Sequence, residues 1–398
     1  MMATGSGIKT VGVVFGSRSV EHDVSIVTAQ QVMQALRPDR YEVVPIYITR
    51  DGRWLTGEAL RDLKNFQTDE LADRMGVKEV VISPNPHHHG MIIQPISGLM
   101  QRSQLKRLDV VFPALHGTHG EDGTLQGLLE LADIPYVGAG VMASAVVRDK
   151  IMLKTVLAQH NLPVVDHVGF TREEWTTDPD AVLARIDAAF GYPVFVKPAS
   201  LGSSIGVARA KDAEEAKTYI TIAATFDRRI IVEKALTDAI EINCALLGNG
   251  PYRASVLEQP ITWQEFLTYE EKYMRSEGPA GMKGAERKIP APISDALTAR
   301  VQAMAQEAFA AVDGRGTARV DFLVREDAGE VIVNEINTIP GSLAFYLWQE
   351  EGMSPADVVD ELIRLAFAAH AEKRKTVYNY KTGLIDHAAA RGLKGIKK

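Results

Sequence analysis

The chain has 398 residues, of which 46% are hydrophobic and 24% are charged. These values are ordinary for a globular protein with a buried core, and the length predicts two or three domains. The formal net charge of −7 disfavours a general nucleic-acid-binding role. Cys244 is the only cysteine, which excludes an intrachain disulfide and a metal site built from several thiolates.

Neither a signal peptide nor a membrane span is predicted. The N-terminal stretch MMATGSGIKTVGVVF has no long apolar core and no cleavage pattern. No segment approaches the roughly 18 apolar residues that cross a bilayer. We therefore expect a cytoplasmic protein with neither a membrane nor a nucleic acid as its partner.

The first region alternates predicted strands with helices. The apolar runs VGVVF (11–15), YEVVPIYI (41–48), DVVFPAL (109–115) and IPYVG (134–138) are predicted strands. A helical pattern follows the first strand, and another begins near Thr124. This alternation is typical of a parallel α/β sheet.

Residues 50–105 are weakly patterned and include three adjacent histidines, His87 to His89. Adjacent histidines could bind a metal, but a solvated loop is the favoured interpretation.

The second region surrounds a loop rich in glycine and serine. A helix is predicted over about 144–160, and FVK (195–197) and GVAR (206–209) are predicted strands. Between them lies KPASLGSSIGV (197–207). Such a loop can be a plain surface turn. It can also clamp a phosphate, because small residues let backbone N–H groups approach an anion and Lys197 adds charge. We read residues 147–250 as a small α+β lid.

The third region contains a long stretch without clear periodicity, 266–292, followed by a predicted helix over about 293–312. A loop of that length inside a compact domain is usually functional or disordered. A basic tail, 372–398, ends the chain.

The most informative stretch is a predicted hairpin, TARVDFLV and EVIVNEIN, joined by EDAG. If Gly329 takes the left-handed position of a three-residue loop, Asp321 faces Glu335 and Arg319 faces Asn337. All four side chains then share one face. The same register predicts three apolar side chains on that face, those of Leu323, Val331 and Val333.

Two directly opposed carboxylates are destabilising unless something compensates. A divalent cation would compensate, and a ligand set of Asp321, Glu335 and Asn337 favours Mg²⁺ or Mn²⁺ over zinc. The alternative is a solvated acidic hairpin in which Arg319 is a salt-bridge partner. Together with a lysine and a Gly/Ser loop, such a metal site indicates binding of a nucleoside triphosphate. The chain has no GxxxxGK[ST] motif, so the usual Walker-type loop is not predicted.

These residues, in this order, resemble the ATP-grasp superfamily and specifically the D-alanine–D-alanine ligases. The resemblance runs from about residue 10 to 370. It depends on FGSRSVEHDVS, LHGTHGEDGTLQG, DKIMLK, VKPASLGSSIGV, VEKALTDAIEINCALLG, TYEEKY, ARVDF and NEINTIPGS.

The resemblance implies a three-domain α/β architecture. It comprises an N-terminal parallel α/β substrate-binding domain (1–146), a central lid (147–250) and a C-terminal catalytic domain (251–371), followed by the tail (372–398).

It also implies an ATP site between lid and catalytic domain. The phosphate ligands would be Lys150, Lys197, Lys272 and the backbone of Gly202, Ser203 and Ser204. Glu233, Lys234 and Ala235 would border the adenine and Glu241 the ribose. Two Mg²⁺ ions, replaceable by Mn²⁺, would bind Asp321, Glu335 and Asn337.

For the substrates, the resemblance implies that the carboxylate of one D-alanine becomes an acyl phosphate, which the amine of a second D-alanine attacks. Arg319 and the backbone at Gly341 would stabilise the charged intermediate. Glu21, Ser203 and Tyr273 would orient the first substrate, and His116 would lie beside its carboxylate. Plainer interpretations remain open: a helix N-terminus for Glu21, a turn for Ser203, a loop anchor for Tyr273 and an interior histidine for His116.

The sequence departs from the family pattern after Gly341. The family commonly has a serine that holds the carboxylate of the second substrate, and Tyr346 stands at about that position, in the run that begins with Ser342. Rival interpretations are another ATP-grasp carboxylate–amine ligase, a D-alanine–D-lactate or D-serine variant, and a non-catalytic nucleotide sensor. The resemblance further implies a homodimer and a role in peptidoglycan precursor synthesis.

Overall fold

The computed structural model describes residues 7–67, 71, 76–94, 103–203, 205–236, 238–261, 287–380 and 382–391. Its strands form three sheets of seven, four and five strands. In the described part of the chain, no helix is long and apolar enough to cross a membrane.

The seven-stranded sheet has the order β6-β5-β4-β3-β2-β1-β7. Its strands are β1 (Lys9–Gly16), β2 (Tyr41–Ile48), β3 (Trp54–Thr56), β4 (Lys78–Ile82), β5 (Gly90–Ile93), β6 (Gln104–Arg107) and β7 (Val110–Pro113). Only β2, β1 and β7 are parallel, and the other strands join antiparallel. The predicted strands 11–15, 41–48 and 109–115 pair in parallel as expected, and the weakly patterned region adds short antiparallel strands that the sequence did not predict.

One further expectation for this region needs correction, and another agrees with the structure. The predicted strand IPYVG makes only a single bridge, between Tyr136 and Val111. His87 and His88 lie in the turn that connects β4 to β5, where His88 Nδ1 is 2.7 Å from Ser83 Oγ.

Helices α1 (His22–Ala35), α2 (Thr124–Leu131), α3 (Val141–Arg148) and α4 (Lys150–Gln159) follow in chain order. The predicted helix over 144–160 is thus two helices. Asp149 has an extended backbone, and its side chain accepts hydrogen bonds from the N–H groups of Ile151 and Met152. Because a carboxylate at the N-cap satisfies helix donors that have no other partner, it begins a new helix there. This break directs Arg148 and Lys150 into the same cleft.

The four-stranded antiparallel sheet has the order β10-β9-β11-β8. Its strands are β8 (His167–Thr171), β9 (Val194–Pro198), β10 (Ala208–Ala210) and β11 (Arg229–Lys234), and its helices are α5 (Arg172–Thr177), α6 (Pro179–Ala189) and α7 (Ala213–Phe226). The Gly/Ser loop connects β9 to β10, as the sequence predicts. Asp212 caps α7 by accepting the N–H of Glu215 at 2.9 Å.

The five-stranded sheet has the order β14-β13-β12-β15-β16 and is antiparallel. Its strands are β12 (Ile240–Gly248), β13 (Arg253–Pro260), β14 (Arg287–Lys288), β15 (Gly316–Arg325) and β16 (Glu330–Asn337). Helices α8 (Asp295–Ala311), α9 (Phe345–Gln349), α10 (Pro355–Lys373) and α11 (Leu384–Arg391) follow the same part of the chain. The sheet includes β12, which the predicted boundary at 250 assigns to the lid.

The predicted hairpin pairing is confirmed at its functional end. Asp321 pairs with Glu335 and Arg319 with Asn337, and Gly329 has a φ of +61°. Near the turn, however, Arg325 pairs with Glu330, so the register there differs by one residue.

A bulge between Asp321 and Phe322 absorbs that difference. Beyond it Phe322 pairs with Val333, and both side chains are fully buried. The expectation that Val331 and Val333 share the face of the carboxylates is wrong, because the bulge directs the two valines into the core, whereas Leu323 stays on the face of Asp321.

Candidate active site

Helix ends, loops and a strand end from all three parts of the molecule meet around a small cleft. Its lining includes acidic, basic and uncharged residues. They are Glu121, Val147, Arg148, Lys150, Gly202, Glu335, Ile336, Asn337 and Thr338. Five of these nine residues are among those that the sequence did not assign.

A lysine cluster, which we define as Lys154, Lys197 and Glu233, lies near Lys150 of the cleft lining. Lys197 Nζ lies 2.6 Å from Glu233 Oε2, and Lys154 Nζ lies 3.1 Å from Glu233 Oε1. Burial alone would raise the pKa of Glu233, but the two ammonium groups lower it well below its usual range. The carboxylate therefore stays charged and holds both lysines in place, leaving one positive charge in excess.

Lys150 lies between this cluster and the hairpin. Its Nζ donates a hydrogen bond to the carbonyl of Leu201 at 2.7 Å and lies 3.7 Å from Glu335 Oε2. Burial lowers the pKa of Lys150. A buried ammonium beside the Gly/Ser loop is suited to an anionic ligand such as a phosphate.

The hairpin forms the opposite side as an acidic cluster, defined here as Arg319, Asp321, Glu335 and Asn337. Arg319 makes two hydrogen bonds of 2.6 Å to the Asp321 carboxylate. Asn337 Nδ2 donates to Asp321 Oδ2 at 3.0 Å. Burial raises the pKa of Asp321 to about 7. One guanidinium thus faces two carboxylates, and the cluster carries one negative charge in excess when both are ionised.

Glu21 and Ser203 meet at a third side of the cleft, where the Ser203 hydroxyl donates to Glu21 Oε1. Glu21 lies at the N-cap of α1, but its side chain accepts no capping hydrogen bond. Arg148 Nη2 lies 3.6 Å from Glu21 Oε2, and Arg148 Nη1 lies 3.5 Å from Glu121 Oε2. A Cβ on Gly202 would lie 3.1 Å from Glu21 Oε1, so glycine permits this close approach.

Glu121 is a buried carboxylate that the sequence did not single out. It accepts the N–H of Gly117 at 2.8 Å and that of Ile339 at 3.2 Å. Burial raises its pKa to about 7. It therefore ties the loop after β7 to the segment after β16.

His116 is an interior histidine in this structure. It is 4% exposed, and its Nε2 lies 2.8 Å from Thr28 Oγ1. Burial lowers its pKa to about 4, so the ring is neutral near pH 7. Its Nε2 atom already makes a hydrogen bond inside the protein. A direct role of His116 toward a substrate carboxylate stays a prediction.

The predicted adenine border uses its backbone donors internally. Lys234 N–H donates to the Asp166 carbonyl at 3.0 Å, and Ala235 N–H donates to the Pro193 carbonyl at 3.1 Å. Glu241 is exposed at the start of β12. Three other predicted site residues lie outside the described residues, namely Ser204, Lys272 and Tyr273.

The segment after Gly341 has an unusual backbone. Ser342, Leu343 and Ala344 have φ values of +50°, +48° and +51°. Such positive values are strained for residues with a Cβ and recur at functional sites. Tyr346 follows at the start of α9 and stacks with Arg287, whose guanidinium carbon lies 4.1 Å from the ring centre.

Sequence reasoning missed Arg148, Lys154 and Glu121. The motif DKIMLK contains a signal for Lys154, because residues four apart lie on the same helix face as Lys150. Arg148 directly precedes that motif and Glu121 lies within LHGTHGEDGTLQG, but nothing in their spacing points to a shared cleft.

Comparison with known proteins identifies the family. The family models for the N-terminus and the C-terminus of D-ala D-ala ligase match residues 10–139 and 156–364. The chain belongs to the D-alanine–D-alanine ligase family. The D-alanine–D-alanine ligase of Thermosipho africanus is 39% identical over 94% of this chain and 98% of its own length. That of Bacillus cytotoxicus is 40% identical over 92% and 98%.

Solved structures of ligases have the same fold as this family member. The D-alanine–D-alanine ligase of Coxiella burnetii matches with a TM-score of 0.77 and 31% identity, over 96% of this chain and 99% of its own. The VanG D-Ala:D-Ser ligase of Enterococcus faecalis also has a TM-score of 0.77, with 30% identity over 90% and 100%. The three-part α/β architecture expected from the sequence is thereby confirmed.

Proposed function

We propose that this chain joins two D-alanine molecules into D-alanyl-D-alanine and converts ATP to ADP and phosphate. The observation that carries the proposal is the pairing of a lysine cluster that has excess positive charge with an acidic cluster that has excess negative charge. Lys150 connects the two clusters: it lines the cleft near the lysine cluster, and its Nζ lies 3.7 Å from Glu335 Oε2 of the acidic cluster. A triphosphate with its cation is complementary to that arrangement.

In the first step, the carboxylate of one D-alanine attacks the γ-phosphate of ATP, and ADP leaves. Lys150 and Lys197 hold the phosphates and offset the charge that moves toward the leaving group. Glu21 and Ser203 border the pocket for the first D-alanine, and Glu21 is placed to bind its ammonium. The product is an acyl phosphate, which must be kept from water.

The oxygen atoms of Asp321, Glu335 and Asn337 fit a divalent cation. The raised pKa of Asp321 supports this, because a buried carboxylate with too few positive neighbours gains most from an added cation. When bound, Mg²⁺ would neutralise phosphate charge. In the free protein, Asn337 and Arg319 hold Asp321 in position.

In the second step, the amine of the other D-alanine attacks the acyl carbon, and phosphate leaves. Negative charge develops on the carbonyl oxygen of the tetrahedral intermediate. Arg319 is buried and held by two hydrogen bonds, so its guanidinium is preorganised to meet that charge.

Several broader expectations belong to the same proposal. The domains are 1–146, 147–250 and 251–371 with a tail at 372–398, the cation is Mg²⁺ or Mn²⁺, and the enzyme acts in the cytoplasm as a homodimer in peptidoglycan precursor synthesis. Each follows from the family and waits for its own test.

Product analysis tests the function against its rivals. We would incubate the purified chain with ATP, Mg²⁺ and D-alanine, alone or with equal D-serine or D-lactate, and identify products by mass spectrometry at pH 7.5. We expect D-alanyl-D-alanine to predominate in each mixture, with phosphate release that requires D-alanine. Predominant D-alanyl-D-serine or D-alanyl-D-lactate would indicate the corresponding variant. No phosphate release would favour the nucleotide sensor.

A further inference from the structure

Four polar residues form a row across the five-stranded sheet. Glu258 on β13 pairs with Asn243 on β12, which pairs with Asp321 on β15, which pairs with Glu335 on β16. Directly paired residues present their side chains on the same face of a sheet. With strands spaced about 4.8 Å apart, the row is roughly 14 Å long. It therefore extends the acidic cluster by two residues, away from Lys150.

The far end of this row contains two buried acceptor atoms without donors. Glu258 is 4% exposed and Asn243 is 2% exposed. Asn243 Nδ2 donates to Glu258 Oε1 at 3.1 Å. In the described part of the chain, neither Glu258 Oε2 nor Asn243 Oδ1 accepts a hydrogen bond. Because buried polar atoms in proteins are nearly always satisfied, this pair calls for an added donor.

The surroundings hold Glu258 in place without satisfying it. Arg287 Nη1 forms an ion pair with Glu258 Oε2 at 3.5 Å, and the Tyr346 side chain lies beside the same carboxylate. Arg287 also stacks on the Tyr346 ring. The carboxylate is thus fixed by two neighbours that themselves form one stacked unit.

The row also lies on the correct side of the reacting centre. Although burial opposes it, the pKa of Arg319 is raised by the charges of Asp321 and Glu258. Arg319 is therefore electrostatically coupled to two carboxylates of the row, one of them at its far end. Lys150 lies beside Glu335, at the end of the row where the phosphate would leave. The nucleophile of the second step would therefore approach from the other end of the row, at Glu258.

We propose that Glu258 and Asn243 bind the ammonium group of the second substrate and so select an amino acid over a hydroxy acid. This rests on the proposed ligase function. An ammonium group has three N–H donors, which can serve Glu258 Oε2 and Asn243 Oδ1 together. A hydroxyl group has one donor and no charge, so it leaves one acceptor unpaired and adds no positive charge to the ion pair of Glu258 with Arg287.

Glu258→Gln tests the proposal, because it keeps the shape of the side chain and removes its charge. Hydroxylamine, which is largely uncharged at pH 7.5, serves as a second nucleophile that traps the acyl phosphate as D-alanine hydroxamate. We expect kcat/KM for the second D-alanine to fall about 10- to 100-fold, the range of a charged hydrogen bond. Hydroxamate formation should stay within about twofold of wild type.

Glu330→Gln is the matched control, since Glu330 is an exposed carboxylate at the turn end of β16. It should leave both rates unchanged. If Glu258→Gln does not fold, Glu258→Asp replaces it, with a shorter reach and the same charge. An equal loss of dipeptide and hydroxamate would overturn the proposal, because it would show that Glu258 only supports Arg319.

Unchanged dipeptide formation in a folded Glu258→Gln variant would overturn it as well. Failure of the proposed function looks different. In that case wild-type protein would form neither dipeptide nor hydroxamate from D-alanine and ATP.

Discussion

The lysine cluster and the acidic cluster, which lie on either side of Lys150, have opposite charge balances. In the first, two ammonium groups surround one carboxylate, and the pKa of Glu233 is lowered. In the second, two carboxylates face one guanidinium, and the pKa of Asp321 is raised. The difference shows that burial alone does not decide the charge of a carboxylate, since Glu233 and Asp321 are both 2% exposed.

The contrast also distinguishes a carboxylate with a structural role, Glu233, from a carboxylate suited to bind a cation, Asp321. Glu233 is compensated within the protein, so it can position Lys197 before any ligand arrives. Asp321 has a raised pKa despite its hydrogen bonds with Arg319, so its environment improves when a cation binds. The substitutions that follow each remove one element of this contrast, beginning with the largest expected effect.

Glu233→Gln should destabilise the protein most, by about 3–5 kcal/mol, because it leaves two buried ammonium groups without their carboxylate. Urea unfolding at pH 7 measures this, with the exposed Glu214→Gln on α7 as control. The folded-state pKa of Glu233 lies below its unfolded value of 4.5. Its stabilisation is therefore complete above about pH 4.5 and is lost as pH falls toward the folded pKa.

The destabilisation caused by Glu233→Gln should accordingly be smaller at pH 3.5 than at pH 7. If the loss of unfolding free energy in Glu233→Gln does not change with pH, the shape of the Glu233 side chain, and not its charge, is what stabilises the protein.

Arg319→Lys should reduce dipeptide formation roughly 100- to 1000-fold, the loss found when one stabilising donor of a transition state is removed. Lysine retains the positive charge but cannot make the paired hydrogen bonds to Asp321. Steady-state kinetics measures the loss. Arg325→Lys, on the same strand but in an exposed ion pair with Asp238, is the control and should be close to wild type. Activity within threefold of wild type would remove Arg319 from the mechanism.

Glu335→Gln should reduce turnover about 10- to 100-fold and raise the Mg²⁺ concentration needed for half-maximal rate. The reason is that the acidic cluster loses one of its two carboxylates. The stability of the free protein should hold or rise slightly, because like charges on paired strands repel. A Mg²⁺ titration of the initial rate is the measurement. An unchanged Mg²⁺ requirement would show that Glu335 is not a ligand.

The smallest effect is expected at Glu121, where the same excess of carboxylates occurs beside Arg148. The folded-state pKa of about 7 lies above the ordinary 4.5. The folded protein therefore holds a proton between these values that the unfolded chain has released, and this group makes stability fall as pH rises from about 4.5 to 7. Glu121→Gln should flatten that decline in urea unfolding. A decline of equal slope would assign it to other groups.

How far the sequence predicted these sites depends on the kind of contact. The hairpin pairing of Asp321 with Glu335 followed from strand alternation and one glycine. The bulge beside Phe322 did not, because nothing in a single sequence marks an extra residue in a strand. The predicted register is wrong by one residue next to the turn, and the bulge shifts the pairing by one residue in the compensating direction. The predicted pairs at the functional end are therefore correct.

The antiparallel half of the first sheet was missed for a different reason. Strand β6 reads QLKR and is mostly exposed, so it carries no apolar periodicity. Its position is set by pairing with β5, a contact between distant residues. The partners of Glu233 and Glu121 are likewise distant in sequence, which is why buried ion clusters are harder to predict than strands.

The most direct test of the account follows one oxygen atom. The purified chain would be given ATP, Mg²⁺ and D-alanine labelled with ¹⁸O in its carboxylate, and the released phosphate would be analysed by mass spectrometry. If the two clusters support transfer of the γ-phosphate to the carboxylate of D-alanine, one ¹⁸O atom enters the phosphate for each dipeptide formed. Dipeptide formation with unlabelled phosphate would contradict an acyl phosphate intermediate and the roles assigned to both clusters.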